Sequence, residues 1–343
     1  MLDEIREQPQ IVRKIIETQM DRVEALRDAI VAREIRFAYI AARGTSDNVA
    51  HYAKYVFEIE HGIPIALAAP SVFTIYDAIP HLDKNAFVLG ISQSGSAPDV
   101  IAVIEQARQT GALTAAITNS EGSALANAAE FSLLTPAGEE ISIAATKTYT
   151  SALATIALLS TALSRDPVRL EQLRRAADVM ERTLGLDDAI RQLTTRYKAM
   201  TDCVVIGRGY NHCTALEIAL KLTETCYMGA KAFSAADFLH GPVAQVHEGF
   251  PVLLIAPDGK AYKAMYELFA ALKNRHPATI AFANNADFLT GTETAIRVPG
   301  PVAEWVSPLV YGVAGQLFAH WLAVAGDRDP DRPRGLSKVT KTT

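Results

Sequence analysis

The stretch Ala38-Tyr39-Ile40-Ala41-Ala42-Arg43-Gly44 recurs 165 positions later as Cys203-Val204-Val205-Ile206-Gly207-Arg208-Gly209. A second pair of apolar stretches, Val88–Ile91 and Val252–Ile255, is offset by 164 positions. Each of these four stretches is a short apolar run that is followed by a segment of helical character. This pattern is typical of strands in a parallel sheet. Because the two offsets agree within one residue, the chain is predicted to be an internal duplication.

The sequence around this repeat predicts an α/β fold with two tandem domains, each a doubly wound parallel sheet flanked by helices. Three further apolar runs of the first copy, each followed by a helix-like segment, support it: Ile63–Ala69, Ala86–Ser92 and Leu113–Thr118. The expected order is an N-terminal helical arm at 1–33 broken at Pro9, a first domain at 34–164, a helical linker at 165–200, a second domain at 201–325 and an irregular C-terminal tail at 326–343.

Composition limits the classes of partner. The 343 residues are 49% hydrophobic and carry a net charge of −5, without a dense basic run, which argues against nucleic acid and acidic membranes. The N-terminus is acidic and lacks an apolar signal core, and three cysteines without metal-like spacing suit a reducing cytoplasm. Residues 305–326 contain no Asp, Glu, Lys or Arg and could span a membrane, but Pro308, Gln316 and His320 favour a helix buried between domains or subunits.

Two loops of the first copy carry hydroxyl side chains where strands are predicted to end. They are Arg43-Gly44-Thr45-Ser46 and Ser92-Gln93-Ser94-Gly95-Ser96, and each precedes a helix-like segment. Free N–H groups and hydroxyls at such places suit a phosphate, although Ser and Thr also favour helix N-caps and turns. The equivalent stretch Ala256–Lys260 has no hydroxyls, so the expected site is kept in one copy only. No nucleotide fingerprint occurs, and the phosphate is expected to belong to a small substrate.

Glu217, Lys221 and Glu224 share one face of a segment that is otherwise an apolar helix. If that face is buried, the amine and the two carboxylates could move protons at neutral pH. If it is exposed, they form an ordinary surface pair. His240, before Gly241-Pro242, taken alone fits a structural turn residue, and no metal site stands out among the eight histidines.

Six motifs in register make the chain resemble the sugar isomerase (SIS) family from end to end. They are Arg43-Gly44-Thr45-Ser46, Ser92-Gln93-Ser94-Gly95, Ala144-Ala145-Thr146-Lys147, Glu217-x-x-x-Lys221-x-x-Glu224, His240-Gly241-Pro242 and the tail Asp329-Pro330-Asp331-x-Pro333-x-x-Leu336-x-Lys338. The chain is similar to the isomerase half of glucosamine-6-phosphate synthases, including the opening Glu4-x-x-x-Gln8-Pro9.

This resemblance implies roles for individual residues. Gly44, Thr45, Ser46, Ser92, Gln93 and Ser94 would bind the phosphate of a hexose phosphate, with Arg43, Ser96, Ala144 and Ala145 close to the substrate. Glu224 would move the proton between C2 and C1, Lys221 would shuttle a proton at the sugar oxygens, and Glu217 would orient Lys221. His240 would open the sugar ring from the neighbouring subunit of a homodimer. Lys338 would come from a tail that covers the site and is a candidate for imine formation with the ketose.

The departures from the synthases point to a related activity. The chain begins with the isomerase arm and has no Cys before Cys203, so we expect no glutaminase and no nitrogen source of its own. Arg43, Ser96-Ala97 and Ala145 stand where the synthases have other residues. Four motifs are more similar to SIS-type glucosamine-6-phosphate deaminases: Arg43-Gly44-Thr45-Ser46-Asp47, Ser92-Gln93-Ser94-Gly95-x-x-Pro98-Asp99, Ala137-Gly138-Glu139-Glu140 and Phe238-Leu239-His240-Gly241-Pro242. The expected protein is such a deaminase, an enzyme without a cofactor. The alternatives are another amino-sugar or fructosamine phosphate as substrate, a synthase-like use of free ammonia, or a sensor without catalysis.

Overall fold

The computed structural model describes residues 1–338. Its described residues form two compact units. The first-sheet unit comprises Gln10–Glu140, Lys147–Arg174 and the described residues from Ser337, and the second-sheet unit comprises Met1–Pro9, Ile141–Thr146 and Arg175–Leu336. Each unit contains one five-stranded sheet.

The N-terminal arm is helical, but its break lies in a different place from the one expected. Helix α1 (Leu2–Thr18) runs through Pro9, and the interruption falls at Gln19, before α2 (Met20–Ala32). The expected break at Pro9 is therefore wrong. A proline removes a single backbone hydrogen bond, and the buried side chains of Val12, Ile15 and Ile16 stabilise the helix after it.

The first sheet has the strand order β2-β1-β3-β4-β5, and every pair of neighbours is parallel. Its strands are β1 (Phe37–Ala41), β2 (Ile65–Leu67), β3 (Ala86–Ile91), β4 (Leu113–Thr118) and β5 (Phe131–Leu134). The helices of this part of the chain are α3 (Thr45–His61), α4 (Ser71–Thr74), α5 (Pro98–Gln109), α6 (Ala124–Ala128) and α7 (Lys147–Ser164). Central strands β3 and β4 are buried throughout, as continuous apolar strands covered on both faces should be.

The second sheet repeats this topology. Its order is β10-β9-β8-β6-β7, again all parallel. Read from the β7 end, this is the first order with five added to every strand number. The strands are β6 (Asp202–Gly207), β7 (Gly229–Ser234), β8 (Pro251–Ala256), β9 (Ala278–Ala283) and β10 (Thr294–Arg297). The helices are α8 (Pro167–Leu184), α9 (Asp187–Thr194), α10 (His212–Cys226), α11 (Ala235–Leu239), α12 (Tyr262–Leu272), α13 (Ala286–Thr290) and α14 (Ser307–Ala325). The predicted duplication and the α/β class are confirmed.

Helix α14 is the apolar segment that resembles a membrane span. Among the described residues, Glu304–Ala325 alone is long and apolar enough to cross a membrane, and 83% of its most apolar window is buried inside the protein. It packs against α9 and α10. A Cβ atom on Gly315 would lie 2.3 Å from the side chain of Ile218, so this glycine lets α14 approach α10 closely. That approach fixes the helix that carries Glu217, Lys221 and Glu224.

Candidate active site

The two hydroxyl loops of the first copy lie at the topological switch point of the first sheet. Strands β1 and β3 are neighbours, with Ala41 paired to Gly90, and their onward connections lead to opposite sides of the sheet. A crevice forms at such a point outside the carboxyl ends of the strands, and open parallel sheets bind their ligands there. The structure thus brings Gly44–Ser46 and Ser92–Ser96 to adjacent strand ends.

The loop between β3 and α5 is a closed turn with hydroxyls on it. The Gly95 amide donates to the Ser92 carbonyl at 3.2 Å, and the hydroxyls of Ser94 and Ser96 lie 2.8 Å apart. Gly95 has a φ of 62°, and a Cβ atom there would lie 2.1 Å from the Ser123 hydroxyl. Only glycine therefore fits this turn. Ser92 is buried, while Gln93 and Ser94 are partly exposed.

The loop between β1 and α3 turns at Gly44, which has a φ of 54° and precedes the first helical residue, Thr45. Its carbonyl accepts from the amide of Asp47 at 2.9 Å. Thr45 and Ser46 lie in the first turn of α3 and are partly exposed. Burial raises the pKa of the Asp47 carboxyl, against the opposing effects of His51 and Arg43. The hydroxyls therefore stand at a helix N-terminus, where an anion is favoured.

Arg43 joins the two loops. Its Nε donates to Oδ2 of Asp99 at 2.7 Å, and Asp99, in the first turn of α5, is fully buried with 0% of its side chain exposed. The other carboxylate oxygen of Asp99 accepts from the Val100 amide at 2.9 Å. The sequence analysis quoted Asp99 only as part of a motif. The two residues are 56 positions apart, and no signal in the sequence pairs them.

Glu217, Lys221 and Glu224 form one cluster on α10. The Lys221 Nζ atom lies 2.5 Å from Glu224 Oε2 and 3.5 Å from Glu217 Oε1. Lys221 and Glu217 each have 1% of the side chain exposed, whereas Glu224 has 23% exposed. The cluster is thus a buried amine with one buried and one accessible carboxylate, and the alternative of a solvated surface pair is excluded.

His240 stands at the end of α11 and is exposed. Gly241 follows with a φ of 142°, so the chain reverses directly after the imidazole. Across residues 1–338 the structure gives the His240 ring no hydrogen bond or ion pair, and it lies outside the Glu217–Lys221–Glu224 cluster. The ring is accessible for a ligand or for another chain.

Lys338 is held by a residue that the sequence analysis did not assign. Its Nζ donates to Oε2 of Glu140 at 2.9 Å. The Glu140 carboxylate is fully buried and also accepts from the Thr148 hydroxyl at 2.7 Å and from the Thr148 amide at 3.2 Å. A tail lysine is therefore anchored at the first turn of α7 through a buried acid.

The segment with Ala144 and Ala145 belongs to the second-sheet unit. The carboxylate of Glu4 accepts from the Ser142 amide at 3.1 Å, and the Gln316 side chain donates to the Thr146 carbonyl at 3.2 Å. Gln8 donates in turn to Gln316 at 2.6 Å. The opening motif of the chain thus holds this segment in place.

The described residues contain no group of three or more His, Cys, Asp and Glu side chains suited to a metal ion. The three cysteines are free and buried, and burial raises the pKa of the Cys203 thiol to about 12 and that of Cys226 to about 11. The cluster on α10 consists of one amine and two carboxylates, and side chains of these types can transfer protons.

Comparison with known proteins identifies relatives of the whole duplicated chain. A family model of the SIS domain matches residues 33–162 and 198–326. A glutamine–fructose-6-phosphate aminotransferase (isomerizing) from Thermococcus kodakarensis is 35% identical over 98% of this chain and 57% of its own length. The chain thus spans little more than half the length of the curated relatives that it matches.

Solved structures extend the likeness over whole chains. A Silicibacter pomeroyi protein, provisionally described as a phosphosugar isomerase, is 31% identical with a TM-score of 0.83 and covers 96% of this chain and 99% of that one. A glucosamine-6-phosphate deaminase from Thermotoga maritima has a TM-score of 0.77 at 20% identity over 99% of both chains, a likeness of fold alone. Two matched segments, each containing one of the duplicated sheets, show that this chain belongs to the SIS domain family.

Proposed function

We propose that the protein is a glucosamine-6-phosphate deaminase, which converts glucosamine 6-phosphate and water into fructose 6-phosphate and ammonia. The observation that carries the proposal is the cluster on α10. A buried Lys221 lies between a buried Glu217 and a Glu224 that remains accessible. Burying a charged group is unfavourable unless it is paired, and such groups recur where proton transfer is needed.

The phosphate is assigned to the loops after β1 and β3. Gly44, Thr45 and Ser46 supply one helix N-terminus, and Ser92, Gln93 and Ser94 supply the turn before the next helix. Binding a phosphate remote from the reacting carbons supplies binding energy that can hold C1 and C2 in position.

The proton transfer is assigned to Glu224. His240 opens the sugar ring, which exposes an aldehyde at C1 beside the amine-bearing C2. Glu224 removes the proton from C2 and returns it to C1, while Lys221 moves protons at the sugar oxygens and Glu217 holds Lys221. The C2–H bond breaks, a C1–H bond forms, and the product is a ketose imine with a double bond between C2 and nitrogen.

Release of ammonia completes the reaction. Water adds to C2 of the imine, the carbon–nitrogen bond breaks, and fructose 6-phosphate and ammonia leave. Nothing is oxidised or reduced overall, so the route needs no external electron acceptor. Lys338 is assigned the role of forming an imine with the ketose at C2. Because its Nζ is paired with Glu140 at 2.9 Å, that pair has to separate before the amine can attack.

A second candidate is the reverse direction with free ammonia. The relative with 35% identity is named a glutamine–fructose-6-phosphate aminotransferase (isomerizing). The same groups serve both directions, because each step of a catalysed path is reversible. Fructose 6-phosphate with ammonium as the only substrates tests this candidate directly.

An ammonia-release assay with glucosamine 6-phosphate tests the proposal. Wild-type protein should release ammonia and fructose 6-phosphate in equal amounts, and Glu224→Gln should lower kcat by about a hundred- to ten-thousand-fold with little change in KM. Glu267→Gln is the matched control, because Glu267 also pairs with a lysine of its own helix, Lys263, but is exposed. A Glu224→Gln protein at wild-type rate would reject the assigned base, and a wild type inert toward the substrate would reject the activity.

The Glu224→Gln protein also tests whether His240 acts in a neighbouring subunit. We propose a homodimer in which the exposed His240 serves the partner's site. Mixing Glu224→Gln with His240→Ala subunits should then restore part of the activity, because one of the two sites regains both groups. Activity that stays at the level of the separate variants would place His240 in its own subunit's site.

A further inference from the structure

The two hydroxyl loops carry very little positive charge for a phosphate site. Residues 42–48 and 92–99 contain one basic residue, Arg43, and two acids, Asp47 and Asp99. A phosphate monoester carries almost two negative charges at neutral pH. Amides and hydroxyls can donate hydrogen bonds to it, but only Arg43 in these ranges can offset its charge.

The side chain of Arg43 is tied at one atom and open at the others. Nε is bound to the fully buried Asp99 at 2.7 Å, while 49% of the Arg43 side chain is exposed. For the described residues 1–338, the structure gives the two terminal guanidinium nitrogens no hydrogen-bond partner. Asp99 lies in the first turn of α5, three residues after Ser96, so the guanidinium is held beside the loop that carries Ser94 and Ser96.

A guanidinium suits this arrangement better than an ammonium group. Its planar fork can give one edge to a carboxylate and keep a second pair of parallel N–H donors for a phosphate. The anchor at Nε fixes the direction in which the remaining donors point, so little side-chain entropy is lost when the ligand arrives.

We propose that Arg43 determines specificity for the phosphorylated sugar by donating both terminal nitrogens to its phosphate, and that Asp99 is the positioning residue that holds Arg43 in that direction. This rests on the proposed function, because the ligand is the phosphate of the same sugar phosphate. Unphosphorylated amino sugars have no group for this cation and are excluded as substrates.

Calorimetric titration with inorganic phosphate tests the inference without any turnover. Arg43→Ala should bind phosphate about 10- to 100-fold more weakly than wild type, since a hydrogen bond to a charged group is lost. Arg43→Lys should fall between the two, because it keeps the charge but loses the fork. Arg33→Ala is the matched control: Arg33 also pairs with an acid of this unit, Glu130, and should leave phosphate binding unchanged.

Removing Arg43 leaves Asp99 buried without its ion pair, so instability has to be separated from lost affinity. The pair Arg43→Gln with Asp99→Asn keeps a neutral hydrogen bond, and it should fold as well as wild type yet bind phosphate as weakly as Arg43→Ala. Asp99→Asn alone should weaken phosphate binding less, and with substrate it should raise KM rather than lower kcat. That split distinguishes positioning from a structural role, which would lower the unfolding temperature and leave KM unchanged.

Two results would overturn the inference: wild-type protein that binds no phosphate, or an Arg43→Ala protein that binds it as tightly as wild type. Failure of the proposed function is a different result. If glucosamine 6-phosphate is not deaminated while phosphate binding still depends on Arg43, the activity is wrong and the role of Arg43 stands.

Discussion

The two switch points of the duplicated fold differ in whether the chain's own residues occupy the position that favours an anion. In the first copy the turn Ser92–Ser96 precedes α5. Its hydroxyls, and the guanidinium of Arg43 that is bonded to Asp99, are accessible to a ligand. In the second copy a side chain of the protein, Glu304, occupies the corresponding position. The carboxylate of Glu304 accepts from the amides of Lys260 at 2.7 Å and Ala261 at 3.0 Å, just before α12.

Gly259 and Arg208 at the second switch point also make contacts with side chains of the protein. A Cβ atom on Gly259 would lie 2.3 Å from the Glu304 carboxyl carbon, so the glycine makes room for that side chain. Arg208, the counterpart of Arg43, donates to the Ser234 hydroxyl at 2.8 Å. Free amides at the start of a helix favour an anion. In the second copy a glutamate of the chain occupies that position, whereas the proposed function assigns the open position of the first copy to the phosphate of the substrate.

The helices after β1 and β6 differ in the opposite sense, because the second copy carries the reactive side chains. At the offset of 165 positions, Glu217, Lys221 and Glu224 of α10 correspond to Tyr52, Val56 and Ile59 of α3. Only the second copy therefore carries carboxylates and an amine at these three positions. In the proposed function, the first copy thus supplies the anion site and the second copy supplies the acid–base cluster.

Breaking the cluster should produce the largest change in stability. Lys221→Met leaves Glu217 buried without this ion pair, and loss of one partner of a buried pair should lower the free energy of unfolding by about 3–5 kcal/mol. Urea denaturation measures it. Lys263→Met, in an exposed pair with Glu267, is the control and should change stability by less than about 0.5 kcal/mol.

Adding Glu217→Gln to Lys221→Met should recover part of the loss, because the buried carboxylate is then neutral. Equal stability of Lys221→Met and wild type would contradict the ion-paired state of the cluster. It would also remove the main support for proton transfer on α10.

Periodic features of the fold could be predicted from the sequence, because spacing along a chain maps directly onto a helix face or a strand end. The duplication, the two hydroxyl loops and the shared face of Glu217, Lys221 and Glu224 are of this kind. The helix break at Pro9 was predicted wrongly, since propensity at one residue is outweighed by the apolar face that continues after it.

Pairings between distant residues could not be predicted in this way. Arg43 and Asp99 are 56 positions apart, Glu304 and Lys260 are 44 apart, and Lys338 and Glu140 are 198 apart. No period connects such residues, so a single sequence cannot show which acid meets which base. These are the contacts that separate the open switch point from the filled one and that anchor the tail lysine.

Acid should weaken both copies by a similar mechanism. Burial lowers the pKa of His61, in the first-sheet unit, and of His320, in the second-sheet unit, to about 4. The unfolded chain takes up these protons near pH 6.5 and the folded chain only near pH 4, so the free energy of unfolding should fall as the pH drops through this window. Each histidine should contribute on the order of 1–3 kcal/mol.

Urea denaturation at several pH values between 4 and 7 measures this loss. His61→Gln, which can still bond to the Ser160 hydroxyl, and His320→Gln should each reduce the dependence on pH, and the same substitution at exposed His81 is the control. A pH dependence unaltered by either His61→Gln or His320→Gln would show that other groups cause the acid response. A reduction by only one variant would show which copy responds to acid.

The filled switch point can be opened by removing its internal anion. Glu304→Ala takes away the acceptor of two amides at the start of α12, and loss of a charged helix cap should cost about 1–2 kcal/mol. The vacated amides should then accept an external anion, so inorganic phosphate should raise the unfolding temperature of the variant. The comparison is made between Arg43→Ala and the double variant Arg43→Ala with Glu304→Ala. Loss of Arg43 weakens phosphate binding at the first switch point, so any added stabilisation of the double variant comes from the second. If phosphate stabilises Arg43→Ala and the double variant equally, Glu304 does not stand in for a ligand, and the two switch points differ in more than the anion that fills them.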